Sequence, residues 1–314
     1  MPTPIPAWVW PAWEYLGYEI NNGLGVREVH RRLGISYGKA RTLVKHVHES
    51  GPRPKRSGQR VHMVIPDPHA KPGQDLRRFK WLARMALAIQ PDVIVCIGDW
   101  ADNHSISRFD KGTIKGEGSR YLADISAANE ALRVFHRIIN DHNEQFPHAA
   151  FVPRFVFTVG NHEHRMDLYT NQRPELEGLL GMEALDFEKR GWEIVPFLVP
   201  VEIDGITYVH YAHSNMGRAW SGMYLAAKLT REWRRSVTVG HSHMFDYRVW
   251  RDRRTEQHGL VCGCYMEDSE DYAQQSNDRW WSGVLIKRDV EDGIYDLERW
   301  SIDRIRKTFG NEWD

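Results

Sequence analysis

Val159-Gly-Asn-His-Glu-His-Arg165 stands directly behind the apolar run Phe155 to Val159. A glycine after a buried β run frees the chain to turn, so the next side chains emerge at the C-terminal end of a strand. Open α/β sheets place their chemistry there. The stretch offers a neutral oxygen ligand in Asn161, a titratable imidazole in His162, a carboxylate able to orient that imidazole in Glu163, and a fixed positive charge in Arg165. Its meaning depends on whether other strand ends supply matching groups.

Upstream, Val61 to Ile65 reads as a strand ending in Asp67-Pro-His69, Gln74 to Gln90 as a helix, and Val93 to Ile97 as a strand ending in Gly98-Asp99-Trp100-Ala101-Asp102-Asn103. The repeat of Ile125, Ala128, Leu132, Phe135 and Ile139 predicts a helix from Tyr121 to about Asn143. Downstream, residues 173–190 read as a helix and Trp192 to Val201 as a strand. A turn at Asp204-Gly205 returns the chain as Ile206 to Val209, which ends in His210-Tyr-Ala-His213. A helix through Ala226 and Leu229 leads to Ser236 to Val239 and then to Gly240-His-Ser-His243. Further β runs fall near Leu260 and at Trp281 to Trp300, with a hairpin turn at Val290-Glu-Asp-Gly293. Short β runs alternating with helices predict an α/β domain.

Collected from the strand ends, the polar residues are Asp67, His69, Asp99, Asn161, His162, His210, His241 and His243. Asp-x-His and His-x-His put two side chains on one side of an extended backbone. Mixed oxygen and nitrogen donors suit Mn, Fe or Zn better than a thiolate-preferring ion, and they outnumber what one tetrahedral ion takes. Two metals sharing one carboxylate is the economical solution.

The ordered motifs Asp-x-His, Gly-Asp, Gly-Asn-His-Glu, His and Gly-His-x-His resemble the calcineurin-like metallophosphoesterase superfamily across most of residues 61–300. The resemblance implies a two-sheet β-sandwich flanked by helices over 61–314 and a dinuclear-metal-dependent phosphoester hydrolase. It implies that Asp67, His69, Asp99 and His243 hold one divalent ion and Asp99, Asn161, His210 and His241 the other, with Asp99 shared. Mn2+ is the expected metal, with Zn2+ or Fe as alternatives. His162, steered by Glu163, would protonate the leaving alkoxide or sit on a phosphate oxygen. Both His210 and His213 follow the Ile206 run, and His210 is preferred because it ends that run directly. Tyr211 replaces the family's usual glycine after this histidine, and His164 has no counterpart in the motif. Ser105-Ile-Ser107 and Arg165 look like the phage-associated branch. Asp102 and Asn103 are candidates to face substrate or to support the ligands, and Arg165 to contact phosphate or to pair with the acidic C-terminal surface.

The N-terminal part is of another kind. Residues 1–50 read as a small all-α domain, and Val26 to Val44 has the spacing of a helix-turn-helix. Val29 and Leu33 would face inward, Gly34 and Ile35 would turn, and Ser36 would cap a second helix holding Ala40, Leu43 and Val44. Tyr37, Lys39 and Arg41 then fall on or near the exposed face that such modules present to DNA. Trp8, Trp10 and Trp13 read as packing for this unit rather than a stacking platform. Residues 51–60, with Arg53, Lys55, Arg56 and Arg60 among Pro and Gly, read as a basic linker.

The chain of 314 residues has formal net charge zero, yet residues 1–60 hold ten Lys/Arg against four Asp/Glu, leaving 32 against 38 elsewhere. No run approaches the roughly 20 apolar residues of a membrane span, and Met1 to Trp13 lacks the layout of a signal peptide. Cys96, Cys262 and Cys264 are too few for a disulfide framework, so reduced thiols and a cytoplasmic location are expected, the host's cytoplasm if the gene is a phage's. The acidic run Glu267 to Asp271 reads as a solvated loop. These readings converge on a phosphodiesterase or nuclease to which the helical unit brings DNA. The alternatives are a phosphomonoesterase or protein phosphatase with an assembly module, and a non-catalytic DNA-binding regulator. The oligomeric state stays open.

Overall fold

The computed structural model describes residues 20, 24–33, 35–50, 60–107, 118–267 and 279–310. In chain order the described elements are helices α1 (Val26–Leu33) and α2 (Tyr37–Ser50), strand β1 (His62–Ile65), α3 (Arg77–Ile89), β2 (Val93–Cys96), α4 (Tyr121–Gln145), β3 (Arg154–Thr158) and α5 (Asn161–Gln172). Then come β4 (Trp192–Val195), β5 (Val201–Ile203), β6 (Ile206–Tyr208), α6 (Leu225–Trp233), β7 (Ser236–Val239), β8 (Phe245–Arg251), β9 (Glu256–Cys262), β10 (Gly283–Glu291), β11 (Ile294–Ser301) and α7 (Ile302–Phe309).

The strands form a six-stranded sheet, β11-β10-β1-β2-β3-β4, and a five-stranded sheet, β5-β6-β7-β9-β8. Alternation within each strand decides the layering. Met63, Ile65, Ile94, Cys96 and Phe157 point to one side, where they pack with Phe79, Leu82, Leu132, Phe135, Ile305 and Phe309 of α3, α4 and α7. Val64, Val93, Val95 and Val156 point to the other side and meet Ile206, Tyr208 and Leu260 of the second sheet. The outer face of that sheet, through Val237, Val239 and Val261, is covered by Leu225, Ala226 and Leu229 of α6. The result is four layers: helices, sheet, sheet, helix. Because both faces of the inner strands are dry, their sequence is continuously apolar.

β1 to β4 pair in parallel, so their C-terminal ends share one rim. In the second sheet β6 and β7 are also parallel. The hairpin turns at Asp204-Gly205 and Asp292-Gly293 have both residues at positive φ, as two-residue hairpin turns require. The two turns touch, with Gly293 N–H donating to the Asp204 carbonyl at 2.9 Å.

Two local expectations are corrected. Residues 173–190 contain three 3-10 turns, Pro174–Leu176, Met182–Ala184 and Glu188–Arg190, and no α-helix. Pro174 and the glycines at 178 and 181 interrupt the ladder that a longer helix needs. Trp192 to Val201 is two strands in different sheets, because Pro196 and Pro200 cannot donate to a ladder. Two elements were not anticipated: α5, which begins at Asn161 itself, and the edge strand β8.

In the N-terminal part, Ile20, Val29, Ala40, Leu43 and Val47 are buried together, with Ile35 and Val44 packed against them. Ser36 Oγ accepts the Lys39 N–H at 3.3 Å, capping α2. Tyr37, Lys39 and Arg41 are exposed. Trp8, Trp10, Trp13, Gly34, residues 51–59, residues 268–271 and the side chain of Leu33 lie outside the described residues.

Candidate metal centre

Each candidate ligand stands within a few residues of its strand's C-terminal end: Asp67 and His69 after β1, Asp99 after β2, Asn161 after β3, His210 after β6, and His241 and His243 after β7. Sheet packing turns these sequence neighbours of strands into spatial neighbours of one another. The ligand atoms of Asp67, His69 and His243 lie within 4.8 Å of one another, and so do those of Asp99, His210 and His241. A third such group is His69, Asp102 and His162. Asp99 lies between the first two, with its Oδ2 3.8 Å from His69 Nε2 and 3.3 Å from His210 Nε2. Asn161 Oδ1 is 2.9 Å from His210 Nε2. His213 is instead exposed, its Nδ1 against the Ser214 carbonyl at 2.9 Å.

Outer groups aim these side chains. His210 Nδ1 is 2.8 Å from the Ile97 carbonyl, which leaves Nε2 toward Asp99 and Asn161. Asp102 Oδ1 lies 3.2 Å from His69 Nδ1 and 3.1 Å from His162 Nδ1, and the Asp102 carbonyl is 2.6 Å from the same His162 nitrogen. Arg165 donates to that carbonyl at 2.9 Å and lies 3.0 Å from His162 Nε2. Asn103 donates to the His162 carbonyl at 3.0 Å. The three residues expected to face substrate therefore also hold His162 and His69 in place.

Glu163 is a correction. It was expected to steer His162, but its buried carboxylate accepts backbone N–H groups of Asp99 at 3.0 Å, Ala101 at 2.8 Å and Gly160 at 3.0 Å. Glu163 thus ties the Asp99 loop to the start of α5, and Asp102 does the steering. At the same junction His162 N–H donates to Asp99 Oδ1 at 2.9 Å. Gly160 has no substitute here: a Cβ on it would lie 2.1 Å from Asp99 Oδ1.

Two features show that the residues fit cations. First, Asp67 and Asp99 are both buried carboxylates, and Asp67 Oδ1 has no hydrogen-bond partner. An uncompensated buried carboxylate is costly, and burial raises the Asp67 pKa to about 7. Burial also opposes ionisation of Asp99, but the His210, His162 and His69 charges overcome it and hold that carboxyl well below its usual range. His241 is lowered to about 4 and His243 is held well below its usual range, in both cases chiefly by burial, so both present neutral imidazoles. Secondly, Asp67, His69, Asp99, His241 and His243 all have positive φ, a region that non-glycine residues avoid. Such strain clusters where the surrounding structure enforces a functional geometry.

Two further residues follow from the geometry alone. Phe197 and Leu168 line, with Tyr211, a cleft that opens beside Asn161. No local sequence pattern marks these two, because they come from a loop and a helix face that only the fold brings together.

A family model for calcineurin-like phosphoesterases matches residues 62–289. No curated protein matches the chain by sequence. Among solved structures, the chain is similar to vacuolar protein sorting 29 from Cryptosporidium parvum, at 13% identity and a TM-score of 0.36, covering 77% of this chain and 98% of that one. The Entamoeba histolytica protein of that name, complexed with Zn2+, is 11% identical with a TM-score of 0.35, over 77% and 99% of the two chains. Yfce, a phosphoesterase from E. coli, is 10% identical with a TM-score of 0.30, again over 77% and 99%. The sequence match spans most of the chain and includes every strand end that carries a ligand group, so the chain belongs to the calcineurin-like phosphoesterase family.

Proposed function

We propose that this metal-dependent phosphoesterase is a phosphodiesterase or nuclease acting on DNA, with Mn2+ as the working metal and residues 1–50 as the module that engages the duplex. The observation that carries the reading is the convergence of two ligand triads on Asp99, joined in one chain to a capped two-helix unit with Tyr37, Lys39 and Arg41 on its exposed side. Asp67, His69, Asp99 and His243 would hold one ion and Asp99, Asn161, His210 and His241 the other. Two divalent ions in such a site supply Lewis acidity and a nucleophile derived from water at neutral pH.

The protein's own groups orient and move protons. His162 is tied to Asp102 through Nδ1, which leaves Nε2 as the atom that exchanges a proton with the leaving oxygen. Arg165, now against that same nitrogen, supplies a positive charge for a phosphate oxygen once substrate separates the two. Residues 61–314 form the hydrolase domain and 51–60 the connection to the helical unit. Cys96, Cys262 and Cys264 are buried and free, which agrees with the cytoplasm as the place of action. Ser105, Ser107 and Arg165 support the phage-associated branch.

The test is a substrate panel with metal-stripped and Mn2+-reconstituted protein: a phosphomonoester, a small diester, and single- and double-stranded DNA. Cleavage of the diester and of DNA is expected. Turnover of the monoester alone would make the chain a phosphomonoesterase or protein phosphatase, and turnover of none would leave a DNA-binding regulator. Removing residues 1–58 should weaken DNA affinity and flatten its salt dependence while small-diester cleavage stays near wild type.

A further inference from the structure

The cleft beside Asn161 has a volume of about 410 Å³, within the size range of small-molecule sites. One long side of it is a single face of α5: Asn161, Arg165, Leu168 and Gln172 recur at helical spacing. The opposite side is aromatic. His164 stacks on Phe197 with ring centroids 4.2 Å apart and planes at 17°. Phe197 meets Tyr211 edge-on at 5.7 Å, and Tyr211 in turn lies 4.7 Å from the ring of His241. A continuous run of rings therefore leads from the cleft to the metal centre.

Leu198, next to Phe197, has φ of 59°, a conformation that a bulky residue adopts only under constraint. The constraint presents Phe197 to the cleft, where it remains part-buried, and Leu168 stays 45% exposed beside it. Tyr211 directly follows His210, so this wall adjoins the candidate ligands. Among the described lining residues there is no carboxylate, and Arg165 is the one permanent charge. Apolar walls, stacked rings and a guanidinium plane suit a flat heteroaromatic ring attached to a phosphate. The amide of Gln172 and the hydroxyl of Tyr169 can address its polar edge.

We infer that this cleft is a subsite for the nucleobase of the nucleotide whose phosphate is held at the metal centre. The inference rests on the phosphoesterase reading of that centre and adds where the organic part of the substrate goes. It also gives His164, which the motif left without a role, a place in the wall.

The test is calorimetric binding of thymidine 5′-monophosphate, ribose 5-phosphate and phenyl phosphate to the Mn2+-loaded full chain, together with hydrolysis of the p-nitrophenyl esters of thymidine 5′-phosphate and of methyl phosphate. The nucleotide should bind about tenfold or more tightly than ribose 5-phosphate, the scale of base-aromatic stacking. The nucleoside diester should have the lower KM at similar kcat. In Phe197→Ala the nucleotide's advantage over ribose 5-phosphate should disappear, and in Leu168→Ala, at a more exposed position, it should shrink. Equal affinity of nucleotide and ribose phosphate, or an advantage that survives both substitutions, would overturn the subsite. Phenyl phosphate matching the nucleotide would reassign the cleft to aryl esters. If the methyl diester is cleaved with no preference for the nucleoside diester, the subsite fails and the hydrolase reading stands; if neither diester is cleaved, both fail.

Discussion

Asp102 and Glu163 lie on the two sides of one junction and divide its work. Asp102 faces the imidazoles of His69 and His162, while Glu163 faces only backbone N–H groups. Asp102→Asn keeps the shape but removes the charge that fixes the ring orientation. We expect a 10- to 100-fold loss in metal affinity or turnover, the usual scale for such outer groups, measured by chelator competition. Wild-type affinity would mean that Asp102 does not hold these rings. At Gly160 the limit is space, since a methyl group would fall on Asp99 Oδ1. Gly160→Ala should lose at least one of two bound metal equivalents, read by elemental analysis, and should melt at a lower temperature than wild type. Two retained equivalents would show that the Asp99 loop can yield.

At the scale of elements, α5 and the α1–α2 unit carry separable functions. Leu43 is fully buried among a small set of apolar side chains, so Leu43→Ala should cost that unit about 2–5 kcal/mol. DNA affinity should fall at least tenfold in a filter-binding titration, while hydrolysis of a small diester changes less than twofold. Undiminished DNA affinity would assign the unit to packing. The helix α5 was not legible from periodicity, because its residues serve the metal centre and the cleft before they serve a core; only Glu163 and Met166 are buried along it. The expected helix at 173–190 failed for the opposite reason. Apolar residues there do pack, as Leu185 and Phe187 show, but Pro174, Gly178 and Gly181 let them do so from short turns.

At the scale of the molecule, stability depends on groups far from the centre. His62 sits at the start of β1 against Tyr208 and Asp204, and His136 of α4 lies 2.7 Å from the indole nitrogen of Trp192. Burial lowers both pKa values to about 4; for His136 the charge of Arg190 adds to the effect. The unfolded chain protonates these histidines near pH 6.5. As pH falls below about 6.5 the unfolded state takes protons that the native state refuses, so stability drops until the folded values near 4 are passed. The slope is at most about 1.4 kcal/mol per pH unit for each group. Urea unfolding between about pH 7 and 5 in chelator should show this decline, and His136→Gln should be flatter than wild type. Parallel curves would mean that His136 titrates normally. Metal removal at neutral pH should also lower the melting temperature, because buried carboxylates and five positive-φ ligand residues are then held without their cations, and reloading should restore it. Identical melting curves with and without chelator would argue against a site filled in the native protein.

The sequence by itself determined the strands that carry the ligand groups, and the order of those groups. Each group lies within a few residues of an apolar run, and short-range pattern reports what is short-range: Asp67 follows β1, Asp99 follows β2 and His241 follows β7 whatever the global packing. It also determined the cap and core positions of α2, which depend on spacing within one helix. Only the tertiary structure decided who faces whom. His69 meets His243 across 174 residues of chain, Asp99 meets Glu163 across 64, and His62 meets Tyr208 across 146. The same holds for the cleft, where Asn161, Phe197 and Tyr211 meet. Such contacts are set by how two sheets stack and which faces turn inward, and no local pattern of residues records that.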